Sequence, residues 1–169
     1  LRAVMGLVRA QSGSIEFQGM DILGSPAHKR VHLGIGYMPE DRRLVPDITA
    51  EANILLPTET VGIADARQRI DEIYGVIPEL VPLRLRSATS LSGGQQKLVA
   101  LARAMIVGTN LLLLDEPSEG VAPSLAKRIH QILADLGKLG RTVLISESNA
   151  AQIAELVEKP YAIERGVIV

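Results

Sequence analysis

Apolar and polar residues alternate through Ser14-Ile15-Glu16-Phe17, between Gly13 and Gly19, and that period of two predicts a half-exposed strand. Gly34-Ile35-Gly36-Tyr37-Met38 predicts a second short strand, ended by Pro39. From Ile48 to Leu85 the pattern turns helical, in pieces separated by Pro57, Pro78 and Pro82. Within it, Ile63 to Ile77 sets Arg67, Arg69, Asp71 and Glu72 among Ile70, Ile73 and Ile77, the spacing of an amphipathic helix. Ser92 is placed to cap a helix running to about Val107, with Gly108 at its end. Leu111 to Leu114 is a continuous apolar run, as in a strand covered on both faces. Leu125, Ile129, Ile132, Leu133 and Leu136 predict a helix closed by Gly137 and Gly140. A second buried strand over Thr142–Ile145, a short helix over Ala150–Val157 and a hairpin over Tyr161–Val169 turning at Arg165-Gly166 complete the reading. Leu1 to Met5 reads as the last turns of a helix closed by Gly6 with no capping residue before it, which predicts a chain cut at its N-terminus.

This alternation of strands and helices predicts an α/β domain with a mostly parallel sheet. With 169 residues, 47% of them hydrophobic, the chain can bury one core without staples. The formal net charge is -1 and aromatics are 2%, so neither a basic field nor base-stacking platforms point to nucleic acid. There are no cysteines, which removes thiolate metal sites and disulfides. No apolar run approaches the roughly 20 residues that cross a bilayer, and the N-terminal LRAVMGLVRA lacks the long apolar region of an export signal.

Two stretches carry candidate chemistry. In Leu91-Ser92-Gly93-Gly94-Gln95-Gln96, a loop becomes a helix, so unpaired backbone N–H groups and the positive end of the helix dipole face outward, and the glycines let an anion approach closely. A plain helix cap reads the same on those residues alone. In Leu111-Leu112-Leu113-Leu114-Asp115-Glu116-Pro117, an acidic pair ends an apolar strand, where α/β sheets place ligands. Neighbouring side chains on a strand point to opposite faces, so the two carboxylates divide their labour unless the strand has already turned.

Together these stretches resemble the signature and Walker B motifs of ATP-binding cassette proteins. The resemblance implies a P-loop NTPase-like fold with helices on both faces of the sheet and a helical insertion, about residues 45–108, that carries the signature. It implies that Ser92, Gly93, Gly94 and Gln95 contact the terminal phosphate of an ATP held by a second ATPase subunit, in a homo- or heterodimer. Asp115 would hold Mg2+, mostly through water, and Glu116 would act as general base on the attacking water. No G-x-x-x-x-G-K-[ST] loop occurs in the chain. By the resemblance, Leu1 falls shortly after such a loop, so the first strands and the phosphate loop are expected to be missing and residues 1–169 to be one truncated nucleotide-binding domain without activity of its own.

Three departures from the family pattern stand out. Glu40, in Pro39-Glu40-Asp41-Arg42-Arg43, takes the place of a glutamine that touches the metal, and a charged solvated loop is an equal reading. Ser148, in Ser146-Glu147-Ser148-Asn149, takes the place of a histidine switch at the γ-phosphate. Ala122 replaces the aspartate of the loop after Walker B. His28, His32 and His130 are expected to be solvent-exposed and structural. The same strings resemble the branched-chain amino-acid importer branch, and within it the shorter ATPase subunit; urea and short-amide importers share much of the pattern. That branch implies transmembrane permease subunits docked through the helical insertion and the loop near Glu40 to Pro46, with Arg42, Arg43 and Asp47 either on that contact surface or, as an equal reading, on a plain solvated face. It also implies a peripheral place on the cytoplasmic face of the membrane and no direct contact with the transported substrate. Two other classes remain: a soluble cassette ATPase without membrane partners, and an inactive fragment that lends signature and Walker B residues to an intact subunit.

Overall fold

The computed structural model describes residues 1–149, 151 and 153–169. Its centre is a three-stranded parallel sheet of β3 (Ile35–Met38), β4 (Leu111–Asp115) and β5 (Thr142–Ser146), in that order. The register sets Met38 beside Leu114 and Asp115 beside Ser146. All three strands therefore end on one side, where the acidic pair lies. Before them stands a small antiparallel ribbon, β1 (Glu16–Phe17) with β2 (Met20–Asp21), and then α1 (Ala27–Val31). The ribbon is shorter than the Ser14–Phe17 strand expected from alternation, and its partner strand and α1 carry too few residues to show a period.

Between β3 and β4 come α2 (Ala50–Val61), α3 (Ala66–Val76), two 3-10 turns (Pro78–Leu83 and Ala88–Ser90) and α4 (Gly93–Val107). Pro57 does not divide this segment, as its position in the sequence suggested. It lies inside α2, where the helix is anchored by the Thr49 cap on Ala52 N–H at 3.1 Å and by buried Ile54. One lost hydrogen bond is tolerated when the apolar face stays packed. Asn53 is fully buried, takes Val45 N–H at 2.7 Å and gives Nδ2 to Val45 O at 3.0 Å, which pins the loop after β3 to α2. Helix α5 (Pro123–Lys138) follows β4, and Gly140 at φ 74 rather than Gly137 closes it, with Arg141 N–H reaching Leu136 O and Gly140 N–H reaching Gly137 O.

Alternation along β4 divides the core. Leu112 and Leu114 join Ile54, Ile70, Leu101 and Ile132 on the side of α2 to α5, so the helical segment and the sheet share one core with α4 between them. Leu113 faces the other way, onto Ile35, Met5 and Ile22. Strand β5 is less covered than its apolar sequence predicted: Val143 and Ile145 pack against the helices, whereas Leu144, on the opposite face, is 41% exposed. Of the expected helix over Ala150–Val157, the described residues show a 3-10 position at Ala151 and a turn at Ile153–Leu156 in place of an α-helix, while Ala150 and Gln152 lie outside the described residues. The terminal hairpin is present as β6 (Ile163–Glu164) and β7 (Val167–Ile168), turning through Arg165 and Gly166, both at positive φ.

Arg30 ties the second face together. It is 2% exposed and donates Nε to Ser25 O at 2.8 Å, Nη1 to Ala3 O at 3.0 Å and Val4 O at 2.6 Å, and Nη2 to Leu23 O at 2.9 Å. The turn at Leu1–Gly6 ends with Leu7 N–H on Arg2 O and Gly6 N–H on Ala3 O, the bond pair that closes helices. Arg30→Met is expected to lower unfolding free energy by about 2–4 kcal/mol, since four partly buried carbonyls lose their donor. Urea denaturation of the two proteins measures the difference.

Candidate active site

Asp115 is the last residue of β4, and its carboxylate receives two hydroxyls: Ser146 Oγ at 2.5 Å from the neighbouring position on β5, and Tyr37 Oη at 3.2 Å from β3. Burial and the adjacent Asp115 charge push the Tyr37 phenol up to about 12, so it stays a donor across the physiological range. Two hydroxyls fix the orientation of Asp115, as supporting groups do for a metal-holding carboxylate.

Glu116 leaves the strand at once. Its φ is 47, a left-handed value that costs a non-glycine residue about 1–2 kcal/mol. Its N–H donates to Ser146 O at 3.0 Å and its carbonyl takes Glu119 N–H at 3.2 Å. The strand has thus turned between the two carboxylates. Ser148 Oγ lies 3.5 Å from Glu116 Oε2, so this residue of the segment after β5 does reach the acidic pair. Desolvation, followed by a hydrogen bond shared with Glu147 and the charge of that group, raises the Glu116 carboxyl above the usual carboxylate range.

Ser92 and Gln95 at the start of α4 form a reciprocal cap. Ser92 Oγ accepts Gln95 N–H at 3.3 Å and Gln95 Oε1 accepts Ser92 N–H at 2.9 Å. Ser92 and Gly93 are exposed, and the first-turn N–H groups of Gly93 and Gly94 have no helical partner by their position. A Cβ at Gly94 would press on Leu125 Cδ2 of α5, the end of a side chain that can rotate away. The helix start is held from two sides. Arg42 Nη1 donates to Gly93 O at 3.0 Å, and Arg103 of α4 donates to Arg42 O and Arg43 O. On the other side, Lys97, 4% exposed, gives its Nζ to Glu119 O. Burial, and then the nearby Arg42 charge, hold the Lys97 ammonium below its ordinary pKa.

Glu40 is exposed on the loop that follows β3. Among the described residues no three His, Cys, Asp or Glu side chains gather at metal-binding separation, so Glu40, Asp115 and Glu116 do not make a three-acid cage. Magnesium, however, commonly takes one or two carboxylates and keeps several waters, so Asp115, held rigidly at a strand end, fits that demand alone. His28 and His32 are exposed, as the sequence suggested, but His130 is not: its ring is half-buried on α5 and its Nε2 is shut from solvent without a hydrogen-bond partner among the described residues, beside Ser118 and Val121. Helix α5 turns that face inward against the loop after Glu116.

Sequence reasoning did not assign Tyr37, Ser146, Ser118 or Lys97. Ser146 becomes visible only through the register that sets it opposite Asp115. Lys97 sits at a position that the apolar spacing of α4 marks as internal, which is a faint signal for a buried cation.

Comparisons with known proteins identify the family and the fold. The sequence profile of the family described as ABC transporter matches residues 1–119. The high-affinity branched-chain amino acid transport ATP-binding protein BraG of Pseudomonas aeruginosa is 34% identical over 169 residues, covering 100% of this chain and 72% of BraG. The lipopolysaccharide export system ATP-binding protein LptB of Haemophilus influenzae is 33% identical over 168 residues, covering 98% of the chain and 70% of LptB. Among solved structures, the ADP conformation of an ATP-binding cassette of an ABC transporter superposes with a TM-score of 0.83 at 26% identity, over 99% of this chain and 72% of that one.

Proposed function

Because the chain belongs to the ABC transporter family, as one of its ATP-binding subunits, we propose that it serves an importer of branched-chain amino acids, in which its residues take part in ATP hydrolysis. The observation that carries the catalytic part is the turned end of β4, where Asp115 is held by two hydroxyls and Glu116 swings away at φ 47. One carboxylate is thereby fixed for a cation and the other freed for a water. Bound Mg2+ supplies charge neutralisation on the phosphates, and Asp115 is the residue that holds it, with Glu40 as a second oxygen donor from its loop. Glu116 orients the attacking water and accepts its proton, a role that its raised pKa suits. Ser148 donates one hydrogen bond toward the γ-phosphate and, unlike a histidine, carries no charge there.

Ser92, Gly93, Gly94 and Gln95 act on the ATP of a second ATPase subunit. The exposure of Ser92 and Gly93 at a helix start supports that reading, because the N–H groups of Gly93 and Gly94 and the helix dipole are available to a partner's phosphate. The branched-chain reading is supported by BraG, with lipopolysaccharide export represented at nearly equal identity. No described helix is long and apolar enough to cross a membrane, and the chain works as a peripheral subunit on the cytoplasmic face, docked on transmembrane permease subunits through the loop at Glu40–Asp47 and the helices after it. Transported substrate does not touch it, and nucleic acid is not a partner. Purification with its permeases into proteoliposomes tests this: ATP turnover stimulated by a leucine-loaded binding protein is the expected result, and stimulation by lipopolysaccharide alone would overturn the substrate assignment.

The 169 residues hold no G-x-x-x-x-G-K-[ST] run, the element that contributes most of the phosphate donors and a lysine in such sites. Purified as a 169-residue polypeptide, the chain is expected to release phosphate from ATP no faster than a protein-free blank. A malachite-green assay over hours measures it, and sustained turnover contradicts the expectation.

A further inference from the structure

Glu147 is half-buried at the end of β5 and receives both donors of Ser118, the N–H at 3.2 Å and the Oγ–H at 2.5 Å, on the same carboxylate oxygen. Ser118 itself is 7% exposed. Both bonds end on one oxygen, an acceptor geometry that a side-chain amide oxygen can also supply. Ser118 stands two residues beyond Glu116, whose left-handed backbone needs support from its surroundings to persist. Lys97 grips Glu119 O from α4 on the other side, so the loop Glu116–Glu119 is clamped between the start of α4 and the segment after β5.

We propose that Glu147 is a positioning residue for Glu116, holding the loop behind it so that the Glu116 side chain stays turned out of β4. The proposal rests on the reading of Glu116 as the water-activating carboxylate. Glu147 shares a hydrogen bond with the Glu116 carboxyl as well, and it sets the loop through Ser118. Its contribution is the acceptor geometry of one oxygen, so glutamine at this position keeps the function and alanine loses it.

NMR of the 169-residue chain, without nucleotide, tests the proposal in three single variants and one double. In Glu147→Ala, amide hydrogen exchange at Ser118 and Glu119 is expected to rise about tenfold or more, and the Glu116 Cα shift and backbone coupling constant to move from left-handed toward extended values. Glu147→Gln is expected to stay within about twofold of the parent in exchange, because its amide oxygen accepts both donors. Ser118→Ala, which keeps one of the two bonds, is expected to fall between, and adding it to Glu147→Ala should cost nothing further. An unchanged Glu116 backbone signature in Glu147→Ala, or a Glu147→Gln variant as perturbed as the alanine, would overturn the proposal. Should Glu147→Ala not fold, the remaining pair decides, with Ser118→Ala faster in exchange than Glu147→Gln if the proposal holds and the reverse order if it does not. These readouts need no ATP turnover, so a failure of the catalytic reading of Glu116 shows separately, in the hydrolysis assay.

Discussion

Glu116→Gln lowers ATP turnover by about a hundredfold to ten-thousandfold in a polypeptide where an upstream segment supplies a G-x-x-x-x-G-K-[ST] loop before Leu1, while ATP affinity stays within a few-fold. The reason lies in the division of labour at the end of β4. Asp115 has both carboxylate oxygens engaged by Tyr37 and Ser146, so it is not available as a base. Glu116 has a backbone tied on both sides and a side chain whose neighbours are Ser148 and Glu147. Glutamine preserves shape and the ability to orient water but cannot accept its proton. Binding energy from the phosphates is untouched, so the loss falls on kcat. The pH dependence follows from the raised Glu116 pKa. A general base must be deprotonated, so activity on the acid limb falls at a pH higher than an ordinary glutamate would give, and that limb disappears in the glutamine variant. Steady-state phosphate release across pH measures both effects.

The second large effect is on folding. Gly36 lies in β3 where the strand crosses the last turn of α4, and a Cβ there would overlap the Ala104 carbonyl oxygen and come within 2.8 Å of Gly108 Cα. Both obstacles are backbone, so no side chain can rotate away. Gly36→Ala is therefore expected to cost about 3 kcal/mol or more, a large share of the roughly 5–15 kcal/mol that holds a domain together. The melting temperature should fall by roughly 6–12 °C for a chain of this size, as differential scanning calorimetry can record. The function suffers with it, because this crossing fixes β3 against β4 and so sets Tyr37 beside Asp115. A melting temperature within a degree of the parent would mean that β3 and α4 do not meet at Gly36.

Much of this arrangement is written in local pattern. The run Leu111–Leu114 fixes its own strand because four consecutive leucines need cover on both faces, and Leu112, Leu113 and Leu114 are 1%, 0% and 0% exposed. Ser92 and Gln95 announce the start of α4 through a cap that involves only neighbours. Burial of β5 was not legible, because cover on its outer side depends on what packs there and not on its own apolar residues; hence Leu144 stands exposed. Pro57 misled for the opposite reason: its local penalty is real, but the packing of α2 on α4 outweighs it. At the site, the acidic pair and the helix start are sequence-local and were visible, whereas the hydroxyls on Asp115 and the grip of Glu147 on Ser118 join residues about 30 to 80 positions apart, separations that no spacing rule encodes.

The central claim is that Ser92–Gln95 of one subunit completes the phosphate site of another. Phosphate release by the loop-bearing polypeptide, measured over a range of protein concentrations for the parent and for Ser92→Arg, tests it directly. A cap change costs only about 1 kcal/mol, so the variant is expected to fold. The account predicts parent activity per molecule that rises with protein concentration, as a dimer requires, and a Ser92→Arg variant that has lost at least nine-tenths of it. Activity per molecule that is independent of concentration and untouched by Ser92→Arg would contradict the claim.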